Sequence, residues 1–315
     1  MATTHLVYRI RDRSSFRNLV RAAEPIPSVQ DHEVLVRVRG VTLNYRDLIV
    51  CNGQYPFPVK DDVVPCADSA GDVMAVGSAV TDVRVGDRVI TSFNLTHVAG
   101  PLTDMSHALG GSVDGVLREY MAVPAQSVSR VPSDCTLSYV QLASLVASGV
   151  TSWNALFGGT PLRPGQIVLL QGTGGVAIAG LQYAKAAGAV TIVTSSSDDK
   201  LAFVKDRFGA DFGVNYRSTP DWAAEVKRLT SGRGVDHRDM PDVAGLVLAH
   251  EVTVRGVQLG GKLLQDELVR FVAAKRIEPH VHETFGFSPA QVAAAFEALQ
   301  ASKHIGKIGI DVDAK

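Results

Sequence analysis

The sequence predicts an α/β chain in two domains, and three observations predict it. Residues 1–125 carry short alternating runs such as Val34, Val36 and Val38, punctuated by Pro and Gly, as in a β-rich domain. Residues 126–279 hold an apolar run, Ile167 to Leu170, that turns through Gly172 and Gly174 into a helix-forming segment and then a second apolar run, Val190 to Thr194. From about residue 280, a helix opening at Ser288-Pro289 leads to a last strand, Ile305 to Val312, which returns the chain to the first domain and completes it over 280–315. Strand, glycine turn, helix and strand in that order open a Rossmann dinucleotide-binding domain.

The first domain reads in order as follows. Thr4 to Ile10 is a first strand rather than a transit peptide, because no apolar signal core follows it. Glu33 to Gly40 is the next strand, and Leu43 to Leu48 runs on to the turn Gly53-Gln54-Tyr55-Pro56. Val63 to Val73 leads to Ala75-Val76-Gly77, and Val85-Gly86-Asp87-Arg88-Val89 is a turn followed by a strand. The loop Leu95 to Gly115, rich in Gly, Ser, Thr and Pro, has the length of a functional or mobile loop. Its His97 and His107 lack the cysteine or acidic neighbours of a metal site and are expected to face solvent. Leu117 to Val123 is a further strand, and Leu137 to Phe157 a helical stretch bridging into the second domain.

In the second domain, the run from Ile167 is long enough for a strand buried on both faces. Gly172 permits the tight turn, Gly174 lets the backbone approach a pyrophosphate, and Ala177 stands where helix and strand pack closely. The free N–H groups at the helix start, at Gly175 and Val176, then face the phosphates with the helix dipole behind them. Lys200 to Phe208 is a helix, Phe212 to Tyr216 a third strand and Trp222 to Leu229 another helix. An NAD-specific site places Asp or Glu at the end of the second strand. This chain reads Thr194-Ser195-Ser196-Ser197-Asp198-Asp199-Lys200 there, and hydroxyls with a lysine suit a 2′-phosphate instead. The same stretch also suits a solvated turn in which Ser197 or Asp198 caps the next helix, and its two aspartates dilute the positive field.

Composition excludes several classes. With 46% apolar residues, 20% charged residues and a net charge of −1, nothing points to nucleic acid or a membrane surface, and no apolar stretch approaches a membrane span. Three scattered cysteines make neither a disulfide framework nor a four-cysteine zinc site, so each is expected to fill space in a core. A cytoplasmic location is the expectation.

With these residues in view, the chain resembles the medium-chain dehydrogenase/reductase superfamily, in its zinc-free, quinone-oxidoreductase-like or zinc-type alcohol dehydrogenase-like branch. The resemblance rests on Leu43-Asn44-Tyr45-Arg46-Asp47, Gly53-Gln54-Tyr55-Pro56, Val85-Gly86-Asp87-Arg88-Val89, Gln171-Gly172-Thr173-Gly174-Gly175-Val176, Asn215-Tyr216 and Gly306-Lys307. It implies a GroES-like β-rich catalytic domain beside the Rossmann domain. In zinc-dependent relatives a Cys, a His and a second Cys hold the catalytic metal, with a Glu beside the His. The matching positions here are Asn44, Ala67, Ala147 and Asp68, a set poor in zinc donors, so no zinc is expected.

The resemblance further implies that Ser196, Lys200 and Tyr216 contact the 2′-phosphate of NADPH, which is favoured over NADH, and that Thr151 touches the cofactor. Asn44 and Tyr55 fall where zinc-free relatives line the substrate cleft. Asn44 can donate through its amide, whereas Tyr55 is either a donor or an aromatic packed before Pro56, and Asp47 closes its turn. The expected activity is hydride transfer from NADPH to a small carbonyl, enone or quinone. An NAD-dependent alcohol dehydrogenase and a catalytically impaired relative that keeps dinucleotide binding or dimerisation are the alternatives.

One departure stands out. A Rossmann domain needs about six parallel strands, but after the expected strand start at Gly232 to His237 only Arg238 to His250 precedes Glu251 to Gly256. That interval is about 30 residues short of two strands and their helix, unless unfamiliar replacement strands fill it. Thr253 to Leu259 resembles the edge strand through which relatives form homodimers.

Overall fold

The computed structural model describes residues 3–234 and 255–314. In chain order the elements are β1 (Thr4–Arg9), β2 (Val20–Pro25), β3 (Glu33–Leu43), α1 (Tyr45–Cys51), β4 (Asp68–Val76), β5 (Arg88–Thr91), β6 (Tyr120–Pro124) and β7 (Val128–Arg130). They continue as α2 (Tyr139–Ala143), α3 (Val150–Phe157), β8 (Ile167–Gln171), α4 (Gly175–Ala186), β9 (Val190–Ser195), α5 (Asp198–Phe208), β10 (Phe212–Asn215) and α6 (Trp222–Leu229). The last are α7 (Lys262–Lys275), β11 (Val281–Phe285), α8 (Pro289–Ala301) and β12 (Lys307–Asp311).

The chain forms two compact units, Met1–Val150 with Gly260–Lys315, and Thr151–Leu259. The first is organised on β3. Along β3, valines 34, 36 and 38 are buried while the residues between them are half-exposed; from Gly40 to Leu43 every residue is buried. Alternation fits a strand with one wet face, and the buried end marks where the strand enters the core. Its sheet runs β11-β12-β3-β4-β5-β7, with β6 also on β3. All pairings are antiparallel except β11 with β12. The buried end of β3 pairs on both sides, Leu43 with Ile308 of β12 and Thr42 with Asp68 of β4. Strands β1 and β2 form a separate antiparallel ribbon.

Helix α2 lies directly on this sheet. A Cβ at Gly40 would stand 2.5 Å from the Tyr139 carbonyl carbon, and one at Gly309 would stand 2.2 Å from Val140 Cγ1. Only glycine allows that approach. The expected helical stretch over Leu137 to Phe157 is made of three pieces: α2, a π-turn over Leu145–Gly149, then α3. The π-turn takes the Ala147 N–H out of the helical ladder and gives it to Asp68 Oδ1 at 3.2 Å. Helix α8 starts as expected, with Ser288 Oγ accepting from Gln291 N at 3.4 Å and Pro at the first position.

The second unit is a parallel sheet in the order β10-β9-β8. Leu169, Ile192, Val214 and Val226 form its core, with Ile167, Phe212, Trp222 and Leu229 packed against them. The units divide after residues 150 and 259, where the sequence boundaries stood at 125 and 279. Physical contact explains the shift: α2 rests on Gly40, and Gln265 of α7 donates to Ser129 Oγ of β7 at 3.0 Å.

The expected fourth strand beyond Gly234 and the short interval Arg238 to His250 lie outside the described residues. So does the start of the expected edge strand at Thr253, and its described part, 255–259, is not a strand. Leu259 has a left-handed backbone (φ 60°), and Arg255 turns to Asn154, meeting its carbonyl oxygen at 2.7 Å and its Oδ1 at 2.6 Å. Among the described residues no helix is long and apolar enough to cross a membrane.

Replacing Gly40 by Leu must push α2 off the sheet, because the obstacle is backbone. Urea denaturation should show a loss of about 1–3 kcal/mol or more for Gly40→Leu. An unchanged midpoint would contradict the packing described.

Candidate functional site

Two clusters of chemistry-bearing groups stand out, one in each unit. In the second, β8 ends at Gln171 and the chain turns on Gly172, whose φ of 84° suits glycine. The Gly172 N–H donates to Thr194 O at 2.9 Å, so the turn is tied to the end of β9. Gly174 precedes α4, and a Cβ there would meet nothing within 4 Å. The opening N–H groups of α4, at Gly175, Val176 and Ala177, have no acceptor within the helix, the usual anion-binding arrangement. Close helix–strand packing is seen at Gly180, one turn beyond Ala177. Gly180 is buried, and its Cβ would lie 3.0 Å from Leu170 Cδ2, whereas Ala177 is half-exposed. Thr151 sits half-buried in the first turn of α3, beside Ser152, whose Oγ donates to Val176 O at 2.7 Å.

At the end of β9, Ser195 Oγ accepts from Ser197 N at 3.2 Å, and Ser197 Oγ caps α5 by accepting from Lys200 N at 3.4 Å. Tyr216 N donates to Ser195 O at 3.1 Å, which draws β10 to the same place. Ser196, Lys200 and Tyr216 thus gather at the carboxyl ends of β9 and β10, the edge at which such sheets bind nucleotides. Asp198 Oδ1 accepts from Asn215 Nδ2 at 2.9 Å, so one carboxylate stands there as well.

The first unit holds a polar cluster where β3, β4 and β12 meet. The Lys307 ammonium donates to Asn44 Oδ1 at 2.7 Å and to Asp68 Oδ2 at 3.0 Å. Lys307 is 5% exposed and Asp68 0%. Asp68 also accepts from Thr42 Oγ1 at 3.1 Å and from the Ala147 N–H. Positions 44, 68 and 147, separated widely in sequence, are brought together around one ammonium. Asn44 Nδ2 is buried and has no hydrogen-bond partner among the described residues.

These residues do not fit a zinc ion. Ala67 and Ala147 have no side-chain donor, and Asn44 Oδ1 and Asp68 Oδ2 both face an ammonium that opposes a second cation. Among the described residues no three His, Cys, Asp or Glu are grouped to hold a metal. The sequence motif Gly306-Lys307 by itself gives Lys307 no role. The signal lay in a lysine heading an apolar final strand, which must meet a buried acid.

Tyr55 has two neighbours. Its ring lies 5.4 Å from that of Phe57, and the Arg46 guanidinium sits 4.9 Å over it and 4.7 Å over Phe93. Arg46 Nη1 donates to Leu109 O at 2.8 Å, so this side chain pins the long loop against α1. Asp114 pins the end of that loop, accepting from Lys60 at 2.6 Å and from Val64 N at 3.1 Å. His107 is 49% exposed, whereas His97 is half-buried with its Nε2 2.9 Å from Gly100 O. Cys51 and Cys66 are buried, and burial pushes both thiols up, as befits core filler.

Two family models match, an alcohol dehydrogenase GroES-like domain over residues 30–133 and a zinc-binding dehydrogenase over 175–264. A zinc-type alcohol dehydrogenase-like protein of Schizosaccharomyces pombe is 34% identical over 349 aligned positions, covering 98% of this chain and 99% of its own. An alcohol dehydrogenase of Geobacillus stearothermophilus is 28% identical, covering 90% of this chain and 92% of its own. Among solved structures, a Sinorhizobium meliloti protein classed as an alcohol dehydrogenase superposes with a TM-score of 0.90 at 31% identity, covering 99% and 100% of the two chains. An NAD-dependent alcohol dehydrogenase superposes with a TM-score of 0.84 at 26% identity, covering 98% and 99%.

Asp47 anchors the Asn44 backbone, accepting its N–H at 2.8 Å. Burial raises the Asp47 carboxyl from 3.8 to about 6, against the opposing pull of Arg46 and the Asn44 N–H. Unfolding returns it to water, so between pH 3.8 and about 6 the unfolded chain has lost a proton the folded chain keeps. The stability this group contributes is full below that window and falls as pH rises through it, by about 3 kcal/mol. Urea melts of wild type and Asp47→Asn from pH 4 to 8 should show their difference declining up to pH 6 and flat above. A difference that rises with pH would contradict this.

Proposed function

The chain belongs to the medium-chain dehydrogenase/reductase superfamily, in its alcohol dehydrogenase-like family, and from that premise we propose a zinc-independent, NADPH-dependent reductase of a small aldehyde, ketone, enone or quinone. Enzymes of this family are NAD(P)-dependent oxidoreductases. The observation that carries the reading is the Gly172 turn tied to Thr194, with the open start of α4 beyond it. Bound there, the nicotinamide coenzyme supplies a hydride from its C4 atom.

The chain's own residues divide the remaining work. Gly172, Gly174 and the N–H groups of Gly175 and Val176 hold the diphosphate. Ser196, Lys200 and Tyr216 hold the 2′-phosphate, and Thr151 meets the coenzyme from α3. Asn44 Nδ2 donates to the substrate oxygen as negative charge grows on it. Zinc independence rests on the donor set at positions 44, 67, 68 and 147, in which Lys307 supplies the positive charge. Tyr55, whose hydroxyl bonds to no described residue, is a second donor to substrate on this reading, although its ring contacts with Arg46 serve packing as well.

A second reading, an alcohol dehydrogenase using NAD, is favoured by Asp198. Its carboxylate, held by Asn215, stands at the end of β9 where ribose hydroxyls are bound in NAD-specific sites. A third, a catalytically impaired relative, draws support from the fission-yeast match, which spans more aligned positions than the 315 residues of this chain.

Coenzyme titrations decide among them. NADPH should bind wild type more tightly than NADH, and Lys200→Ala should weaken NADPH about tenfold while leaving NADH alone. Indifference of NADPH to the substitution would contradict the phosphate assignment. Oxidation of bound NADPH should follow with at least one member of a carbonyl, enone and quinone panel. Silence with all of them would favour the impaired relative.

A further inference from the structure

We infer that Lys307 is a positioning residue that sets which way the Asn44 carboxamide faces, and so aims its NH2 group at the substrate oxygen. The inference rests on the proposed reading and names the device that makes Asn44 work. A carboxamide has an oxygen that accepts and a nitrogen that donates, nearly identical in shape. Nothing in the shape of an asparagine decides between its two orientations; only its neighbours can.

Here two neighbours agree: the Asn44 side chain faces the Asp47 backbone N–H in a capping box at the start of α1, and it faces Lys307. The Lys307 ammonium carries three donors and no acceptor, so the atom of Asn44 that meets it at 2.7 Å must be the oxygen. Nδ2 is thereby turned away, and it is buried with no partner among the described residues. Leaving a buried donor without an acceptor is unfavourable, and the protein bears it in the folded state, as it would for a group reserved for a ligand. Lys307 cannot turn aside itself. Asp68 Oδ2 holds it at 3.0 Å, and Asp68 is in turn held by Thr42 Oγ1 and by the Ala147 N–H that the π-turn releases. The backbone of Asn44 is fixed separately through Asp47.

The chain of constraint therefore runs from Ala147 and Thr42 through Asp68 and Lys307 to Asn44. The same ammonium places a fixed positive charge behind the amide, which polarises it and strengthens the N–H as a donor. Without Lys307 the amide keeps only the Asp47 N–H to orient it and loses its charged partner, which lets its oxygen turn toward the substrate oxygen, an arrangement that repels developing negative charge.

The test uses the full chain with NADPH and the panel substrate that wild type turns over fastest. Lys307→Met should lower kcat about 100-fold, the size of losing one oxyanion donor, with NADPH affinity unchanged because the second unit binds it. In an Asn44→Ala background the same substitution should change kcat less than threefold, since no amide remains to be aimed. A comparable loss in that background, or a parallel collapse of NADPH affinity, would overturn the inference.

Lys307→Met leaves Asp68 without its countercharge, so Lys307→Met with Asp68→Leu serves if the single variant fails to fold, with the same expectations. If wild type turns over none of the panel, the proposed function fails, and the inference is read without turnover. In spectra of protein labelled with 15N-asparagine, the Asn44 Nδ2H2 pair, identified by its loss in Asn44→Ala, should shift in Lys307→Met. An unmoved pair would overturn the inference.

Discussion

A lysine ammonium that is almost completely buried demands a countercharge, and the bond from Lys307 to Asp68 is the constraint on which the first unit's site depends. Strand pairing alone brings them within reach. Thr42 pairs with Asp68 on one side of β3, and Leu43 pairs with Ile308, the neighbour of Lys307, on the other. Three segments from both ends of the chain must therefore be in register before either charge is compensated. A slip of one residue would turn one of the two charges to the other face. The same register places Asn44 one residue past the end of β3, within reach of the ammonium.

This arrangement answers a chemical question. Relatives with zinc use a divalent cation to draw charge onto a carbonyl oxygen, and at the positions of their cysteines and histidine this chain has Asn44, Ala67 and Ala147. It keeps a carboxylate at the neighbouring position, and that carboxylate holds an ammonium. A monovalent cation carried by a side chain is weaker than a metal ion, and on the proposed reading it acts through an amide rather than by direct ligation. In the second unit, parallel strands end in a glycine turn and a serine-rich turn, each tied by hydrogen bonds.

Much of this was legible in the residues. The glycine turn, the strands on each side of it and the Ser288-Pro289 helix start rest on local spacing, and local spacing survives into the structure. Asn44, Ala67, Asp68 and Ala147 were legible as a set through resemblance. What escaped depends on tertiary contact. The π-turn inside Leu137 to Phe157 forms because Asp68 accepts the Ala147 N–H, which no helical periodicity records. The approach of Gly180 to Leu170 of β8 is likewise a tertiary contact that local spacing does not record. Lys307 reads as an ordinary charge at a strand start until the sheet order sets it beside Asp68. Residues 255–259 of the expected edge strand are not a strand, because Arg255 and Leu259 bond to Asn154 instead.

The central claim is that the Lys307 ammonium holds the place of a metal cation. Its most direct test is the zinc content of the purified chain after exposure to excess zinc and removal of the unbound ion. The account predicts well below one zinc per chain, and the same content in Asn44→Ala. One zinc retained per chain, lost on Asn44→Ala or Asp68→Ala, would contradict it.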